Sequence, residues 1–362
     1  MTSGYKFETR EDLDTAVSLW IDEETSTAET YGDINTWDVS AITDFSYLFH
    51  GANYFNDDIG DWDVSNGRTF ERMFYQAINF NQDISSWDVS NGTDFNGMFL
   101  AASYEGLLFN QFNQDISSWD VGNGTDFSGM FYGAGLFNQD ISSWDVSNGN
   151  NFRYMFHKAS TFNQDIGDWD VSNGTDFSRM FYRASTFNQD IGDWNVSKGN
   201  DFSGMFAFAD EFNQDISFWD VSNGTNFSGM LSNTFFSQDI SSWDVSNGTD
   251  FSYMFKNSAF NEDIGGWDVG NGTDFSYMFK ESAFNQDIGD WDVSNGTDFS
   301  YMFDLALEFN QDIGDWDVSN GTDFSYMFKY SAFNQDIGDW DVKDTARLNN
   351  MFTDGTPEIT YF

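Results

Sequence analysis

Thirteen copies of one pattern run along this 362-residue chain. The pattern is plainest at residues 80–99, Phe80-Asn-Gln-Asp-Ile-Ser-Ser-Trp-Asp-Val-Ser-Asn-Gly-Thr-Asp-Phe-Asn-Gly-Met-Phe99. Its tryptophans are Trp37, Trp62, Trp87, Trp119, Trp144, Trp169, Trp194, Trp219, Trp243, Trp267, Trp291, Trp316 and Trp340, spaced 24 or 25 residues apart except for 32 between Trp87 and Trp119. A fixed period of this length marks stacked supersecondary units, each burying its apolar face against its neighbours. The expected fold is a repeat solenoid, in place of the two or three globular domains that length alone suggests.

Two shorter periods succeed one another inside each copy. Ile84, Trp87 and Val89 read as a strand-like run, with Ser86, Asp88 and Ser90 on the opposite face. Asn91-Gly92 is a turn signal. Thr93 is placed to cap a short helix, with Asp94 in its first turn. Phe95, Met98, Phe99 and Ala102 then fall at i, i+3, i+4 and i+7 and predict a helical inner face. Each coil is expected to be strand, turn, short helix and return loop, with Phe80, Ile84, Trp87, Val89, Phe95, Met98 and Phe99 inward. Coils about 4.8 Å apart would make a rod or shallow arc of roughly 60 Å.

The ends read as caps. Residues 9–24 predict an amphipathic helix, opened by Thr9 and Asp12 in an approximate capping box, with Leu13, Ala16, Val17, Trp20 and Ile21 on its apolar face. It belongs to an N-terminal cap over residues 1–30, ahead of the repeats at 31–352. Residues 353–362, ending Glu358-Ile-Thr-Tyr-Phe362 after the only proline, Pro357, read as a closing strand. The one large insertion, near Leu100–Gln111, falls where repeat length also varies, so it should bulge from the loop edge without breaking the stack.

Composition excludes several classes. Aromatic residues are 20% of the chain and Phe alone counts 42, enough apolar mass for an elongated core and unlike an acidic disordered chain. A net charge of −46 argues against nucleic acid and anionic membrane surfaces as partners. No apolar run approaches the ~20 residues of a membrane span. The absence of cysteine removes disulfides, thiol chemistry and zinc–thiolate sites. Met1–Phe7 lacks a basic and an apolar segment, so no signal peptide is visible.

The pattern F-N-x-D-I-S-x-W-D-V-S-N-x-T-x-x-x-x-M-F resembles the BspA-like surface-protein repeat, the mycoplasma-type lipoprotein repeat of about 25 residues. The likeness covers about residues 31–352. Tyr31-Gly-Asp-Ile-Asn-Thr-Trp-Asp-Val-Ser40, with the helix before it, is similar to the usual opening of such arrays. The resemblance implies a leucine-rich-repeat-like, right-handed stack of thirteen strand–turn–short-helix coils, with Ile84-x-x-Trp87-x-Val89 standing for L-x-x-L-x-L. It also implies a non-enzymatic surface or secreted protein, extracellular or at the cell surface, used in adhesion or protein contacts in bacteria and some algae and their viruses. One departure is systematic. Gly replaces the family's Val after Ser-Asn in eleven repeats, as at Gly92, and Phe replaces its Met in twelve, as at Phe95. The pair of changes roughly conserves core volume.

Candidate sites follow from the polar columns. Asp follows Trp in twelve of thirteen repeats, Asn195 being the exception, and alternation points it outward. Neighbours about 4.8 Å apart would repel by roughly 3–4 kcal/mol at an effective dielectric of 20, so serine hydroxyls, raised pKa values or bound cations must relieve them. Asp244, Asp268, Asp292 and Asp317 are accordingly candidate Ca²⁺ ligands, the alternative being a solvated acidic face. A second column, Asp83, Asp115 and Asp140, suits turn capping. Asn-Gly-Thr, as at Asn91, is a glycosylation sequon, but a turn followed by a helix cap explains it fully and is the preferred reading. Tyr253, Tyr277, Tyr301 and Tyr326, with Lys256, Lys280 and Lys329, form a stripe that is either a contact surface or plain helix surface. The two histidines, His50 and His157, lie four repeats apart, and no nucleophile triad is readable. The sequence therefore points to adhesion or protein contacts through a repetitive acidic face, with a host or matrix protein or a glycan as partner. The alternatives are a calcium-dependent carbohydrate-binding module and a virion or cell-envelope component. The chain is expected to be a monomer without nucleic-acid partners or membrane insertion.

Overall fold

The computed structural model describes residues 4–101 and 110–353. The chain forms two compact units, Met1–Gly174 with Arg183–Gln189, and Thr175–Tyr182 with Asp190–Phe362. The first unit opens with helix α1, Arg10–Tyr31, capped where expected: the Thr9 hydroxyl accepts from the Asp12 amide at 3.2 Å. The helix runs past the expected end at 24 after a kink at Glu23, where φ is −145° and ψ 67°. Leu13, Ala16, Val17 and Trp20 are buried, but Ile21 is 43% exposed, because one residue of helix turns its side chain by about 100° from the Trp20 direction. Trp20 meets Trp37 of the first repeat edge-on, with centroids 5.7 Å apart, and its indole donates to Asp57 Oδ2 at 2.8 Å. Ahead of α1, Lys6 pairs in parallel with Asp38.

Among the described residues the repeats carry neither the expected strand nor the expected short helix. Among the described residues the only other helix is a 3-10 turn, Ile34–Thr36, and repeats pair through isolated parallel bridges. In the first unit these run Asp44–Thr69–Asp94–Asp126–Asn151, and in the second Asp176–Asp201–Asn226–Asp250–Asp274–Asp298–Asp323–Arg347. The bridges fall just before the repeat-pattern Phe, as at Asp94 before Phe95, not in the Ile84–Val89 run. There, Trp87 N closes a turn on Ile84 O at 3.1 Å and Gly92 N closes one on Val89 O at 2.7 Å.

The helix-like spacing belongs to a chain of β-turns. In the second unit Met278, Lys280 and Ser282 donate to Phe275, Tyr277 and Phe279 three residues back. The residues between them, Phe275, Tyr277, Phe279 and Glu281, donate instead to Asp298, Ser300, Met302 and Asp304 of the next repeat at 2.9 Å. An α-helix would send every amide to residue i−4. Tyr277 and Glu281 are left-handed, with φ of 59° and 58°, and such residues end a right-handed helix. Apolar side chains at i, i+3 and i+4 still face inward, as a helix would also place them.

The core is built of aromatic columns. In the first unit Phe45, Phe70, Phe95, Phe127 and Phe152 stack face to face with centroids 5.5–5.8 Å apart. Within a coil Phe99 lies on Phe112 at 3.9 Å. In the second unit Trp219, Trp243 and Trp267 stack at 6.4–6.5 Å. Buried repeat indoles find an acceptor one repeat back: Trp87 Nε1 donates to Ile59 O at 3.1 Å, and Trp291 Nε1 to Ile264 O at 3.1 Å. Without such partners these N–H groups would be costly to bury.

Gly92 shows why Gly and Phe occur together in these repeats. A Cβ at Gly92 would lie 2.6 Å from Phe95 Cζ and 2.9 Å from Val89 O. The Phe ring occupies the space a Val side chain would need. At the insertion the chain leaves the described region at Ala101 and re-enters at Asn110, which is fully buried and clamps the return: its Nδ2 donates to Phe99 O at 2.8 Å and its Oδ1 accepts from Phe112 N at 2.7 Å. Most of the expected bulge, and the expected closing strand apart from Thr353, lie outside the described residues.

Candidate functional site

The acidic column is exposed as alternation requires: Asp88, Asp145, Asp244, Asp268, Asp292 and Asp317 all face solvent. Each carboxylate is also tied to its own turn. Asp88 Oδ1 accepts from the Ser90 amide at 3.0 Å, Asp244 from Ser246, Asp268 from Gly270, Asp292 from Ser294 and Asp317 from Ser319, all at 3.0 Å. The serine hydroxyls, then the serine amides, hold Asp88, Asp145, Asp244, Asp292 and Asp317 below the usual carboxylate range. Hydrogen bonds to the charged form thus relieve the column. The natural exception, Asn195, accepts from Ser197 in the same way at 3.2 Å. Among the described residues no three His, Asp or Glu side chains gather as a metal site would need. The column four residues before Trp is turn-bound too, Asp83 Oδ1 accepting from the Ser85 amide at 2.9 Å.

Three further polar roles differ from the helix-based expectation. Thr93 caps no helix; its hydroxyl donates to Arg68 O of the preceding repeat at 3.1 Å. Asp94 Oδ1 accepts from the Asn96 amide at 2.9 Å, and burial, the largest effect, pushes its carboxyl above the usual range. The sequon asparagine works for the stack: Asn91 Nδ2 donates to Ser65 O at 2.7 Å, and Asn295 Nδ2 to Gly270 O at 2.7 Å.

The tyrosine stripe is a ladder. Tyr253, Tyr277, Tyr301 and Tyr326 stack nearly parallel, with centroids only 4.4–4.5 Å apart. Lysines flank the rings: Lys256 Nζ is 5.5 Å from the Tyr253 centroid, Lys280 Nζ 5.0 Å from Tyr301, and Lys329 Nζ 4.8 Å from Tyr326. Lys280 also pairs with the buried Asp304 at 2.7 Å. Burial, then the neighbouring tyrosines, raise the Tyr277 hydroxyl to about 12.

All four tyrosines stand in one left-handed column, with φ of 58–63°. In the second unit the same repeat position also holds Arg179, Gly204, Gly229 and Asn350, and the equivalent position in the first unit holds Tyr47, Arg72, Gly97, Gly129 and Tyr154. A non-glycine residue there carries strain of roughly 1–3 kcal/mol. Sequence reasoning found the tyrosines but not the column, where side-chain size runs from Gly to Arg and Tyr. The available signal was the alternation of Gly, Arg and Tyr two residues after the pattern Phe.

The chain matches the family model described as "Mycoplasma protein of unknown function, DUF285" over residues 21–111, 103–211, 190–283 and 258–359. The chain belongs to that family. Each DUF285 match takes in three or four of the tryptophan repeats, so the family unit spans several coils. No curated protein matches the chain. Among the described residues no helix is long and apolar enough to cross a membrane.

Proposed function

We propose that this DUF285 protein is a non-enzymatic contact protein whose repeats form a turn-based solenoid in each unit. Its function is adhesion or protein contact at a cell surface, in keeping with the BspA-like resemblance. The observation that carries this reading is the tyrosine ladder. Four aromatic side chains occupy strained backbone positions that other repeats give to glycine, and three of the four are only half-buried. Core packing does not require them, since Gly204 and Gly229 serve the same backbone positions. Tyrosines with flanking cations are common anchors of protein interfaces. The acidic column is a weaker candidate surface, because its carboxylates already serve their turns.

The test is binding of the full chain to arrayed matrix proteins and glycans, beside Tyr277→Gly/Tyr301→Gly. Glycine is native to this column, so the variant is expected to fold with wild-type circular dichroism and to lose at least ten-fold in affinity. An unchanged profile removes the ladder from the contact surface. A profile lost instead in Asp244→Asn/Asp268→Asn/Asp292→Asn/Asp317→Asn returns the role to the acidic face.

A further inference from the structure

The left-handed column of the first unit contains a gap. Tyr47 and Arg72 are followed by Gly97 and Gly129, then by Tyr154. Where two successive coils raise no side chain, a groove of about 770 Å³ opens, floored by Gly129 and walled by Tyr47, Tyr75, Tyr132 and Tyr154. That volume lies in the ~300–1,000 Å³ range of small-ligand sites and is too small for a folded partner.

The groove's charge is opposite to the chain's. Arg72 and Arg153 line it, two of fourteen basic residues in a chain with 60 acidic ones. Arg72 is held in place: Nη1 donates to the Tyr47 hydroxyl at 2.7 Å, and its guanidinium lies 5.7 Å from the Tyr47 ring and 6.0 Å from Tyr75. Its buried Nε has no hydrogen-bond acceptor, while Nη1 forms a long ion pair at 3.8 Å with Glu71 Oε1, the oxygen that accepts from the Tyr47 hydroxyl at 2.8 Å. Arg153 is exposed and lies over the Tyr154 ring at 4.7 Å. The lining carboxylate, Asp126, is engaged by its surroundings: Oδ1 accepts from the Ser128 amide at 2.8 Å and Oδ2 from Asn151 Nδ2 at 3.2 Å.

We propose that this groove binds a short acidic oligosaccharide, with sugar rings against the tyrosine faces and a carboxylate or sulfate on Arg72 and Arg153. Tyrosine presents a broad apolar face with a polar tip, which suits a sugar ring. Arginine's planar fork matches a carboxylate or sulfate. An extended acidic peptide is less suited, because the floor offers no backbone to pair with: Gly97 N already donates to Ser128 O at 2.7 Å and Gly129 N to Arg153 O at 2.8 Å. The chain's overall negative charge does not forbid an anion here, since at physiological salt charges beyond about 8 Å are largely screened. This site is independent of the tyrosine ladder and of its reading.

The experiment is calorimetric titration of the full chain with four probes: a uronic-acid tetrasaccharide, a sulfated tetrasaccharide, a neutral tetrasaccharide of the same linkage, and an oligo-glutamate peptide. One or both acidic saccharides are expected to bind saturably, the stronger showing which anion is preferred, and the neutral sugar and peptide at least ten-fold more weakly. Gly129→Tyr fills the groove with a residue native to this column, and a Cβ there meets its nearest neighbour, Leu100 Cδ1, at 3.4 Å, an ordinary contact. It is expected to abolish binding without lowering the melting temperature by more than a few degrees. Arg153→Ala, at an exposed side chain, is expected to weaken binding at least ten-fold. Equal binding of the neutral sugar, stronger binding of oligo-glutamate, no binding of either acidic saccharide, or full binding by a folded Gly129→Tyr would each overturn the proposal.

Discussion

At the scale of the residue, the Gly92–Phe95 pair states the packing rule of the family variant. Gly272 repeats it in the second unit, where a Cβ would lie 2.4 Å from Phe275 Cζ. Gly272→Val should therefore destabilise by about 3 kcal/mol or more through overpacking, and Phe275→Met by roughly 1–2 kcal/mol. The double variant should cost well below the sum of the two, with a coupling of about 1–3 kcal/mol. Urea unfolding of the four proteins measures this, and strict additivity would show that the ring does not fill the valine space. The acidic column gives a second prediction. A carboxyl whose folded pKa is depressed contributes stability above its unfolded pKa of about 3.9, and that contribution is lost as pH falls through the folded value. Asp88, Asp145, Asp244 and Asp292 all have this sign. Converting the four to Asn, which already serves at Asn195, should flatten the fall of melting temperature below pH ~4 and change little at pH 7. A variant with an undiminished acid slope would contradict the role of the serine hydrogen bonds.

At the scale of the element, the unit is a string of turns whose amides alternate between closing the turn and pairing with the next repeat. No element is complete without its neighbours, as nearest-neighbour repeat stability requires. The tryptophan links repeats in two ways, because its ring stacks on the next ring while its N–H reaches back to an isoleucine carbonyl. Trp291→Phe removes ring volume and leaves Ile264 O without its indole donor. The expected cost is about 3 kcal/mol, and hydrogen exchange should show faster opening centred on that repeat and those beside it. A loss spread evenly over both units would mean that the repeats are not coupled by nearest neighbours. Much of this element was legible in sequence: Phe80, Ile84, Trp87, Val89, Phe95, Met98 and Phe99 are all buried. What misled was the inner face. The spacing i, i+3, i+4, i+7 fits an α-helix and a turn chain equally, and the left-handed φ of residues such as Tyr277 and Glu281 has no signature when the residue is not glycine.

At the scale of the whole molecule, a charge of −46 makes self-repulsion a standing cost. Raising ionic strength should raise the melting temperature, and Ca²⁺ should add no more than Mg²⁺ at equal concentration, since no three acidic or histidine side chains converge among the described residues. A selective gain with Ca²⁺, lost in the Asn variants of Asp244, Asp268, Asp292 and Asp317, would restore the calcium reading. Light scattering tests the expectation of a monomer; α1 buries Leu13, Ala16, Val17 and Trp20, with Trp20 against Trp37 of the first repeat. The amino-acid sequence alone determined the repeat, its count, its inward residues, its Asn-Gly turns and its outward carboxylates, because periodicity and residue chemistry are local properties that each copy states again. Only the tertiary structure decided between helix and turns, because that choice depends on where alternate amides find their carbonyls, and those carbonyls belong to the next coil. It alone showed the Gly97–Gly129 gap as a groove, because a missing side chain becomes a site only when the side chains of neighbouring coils stand on either side of it.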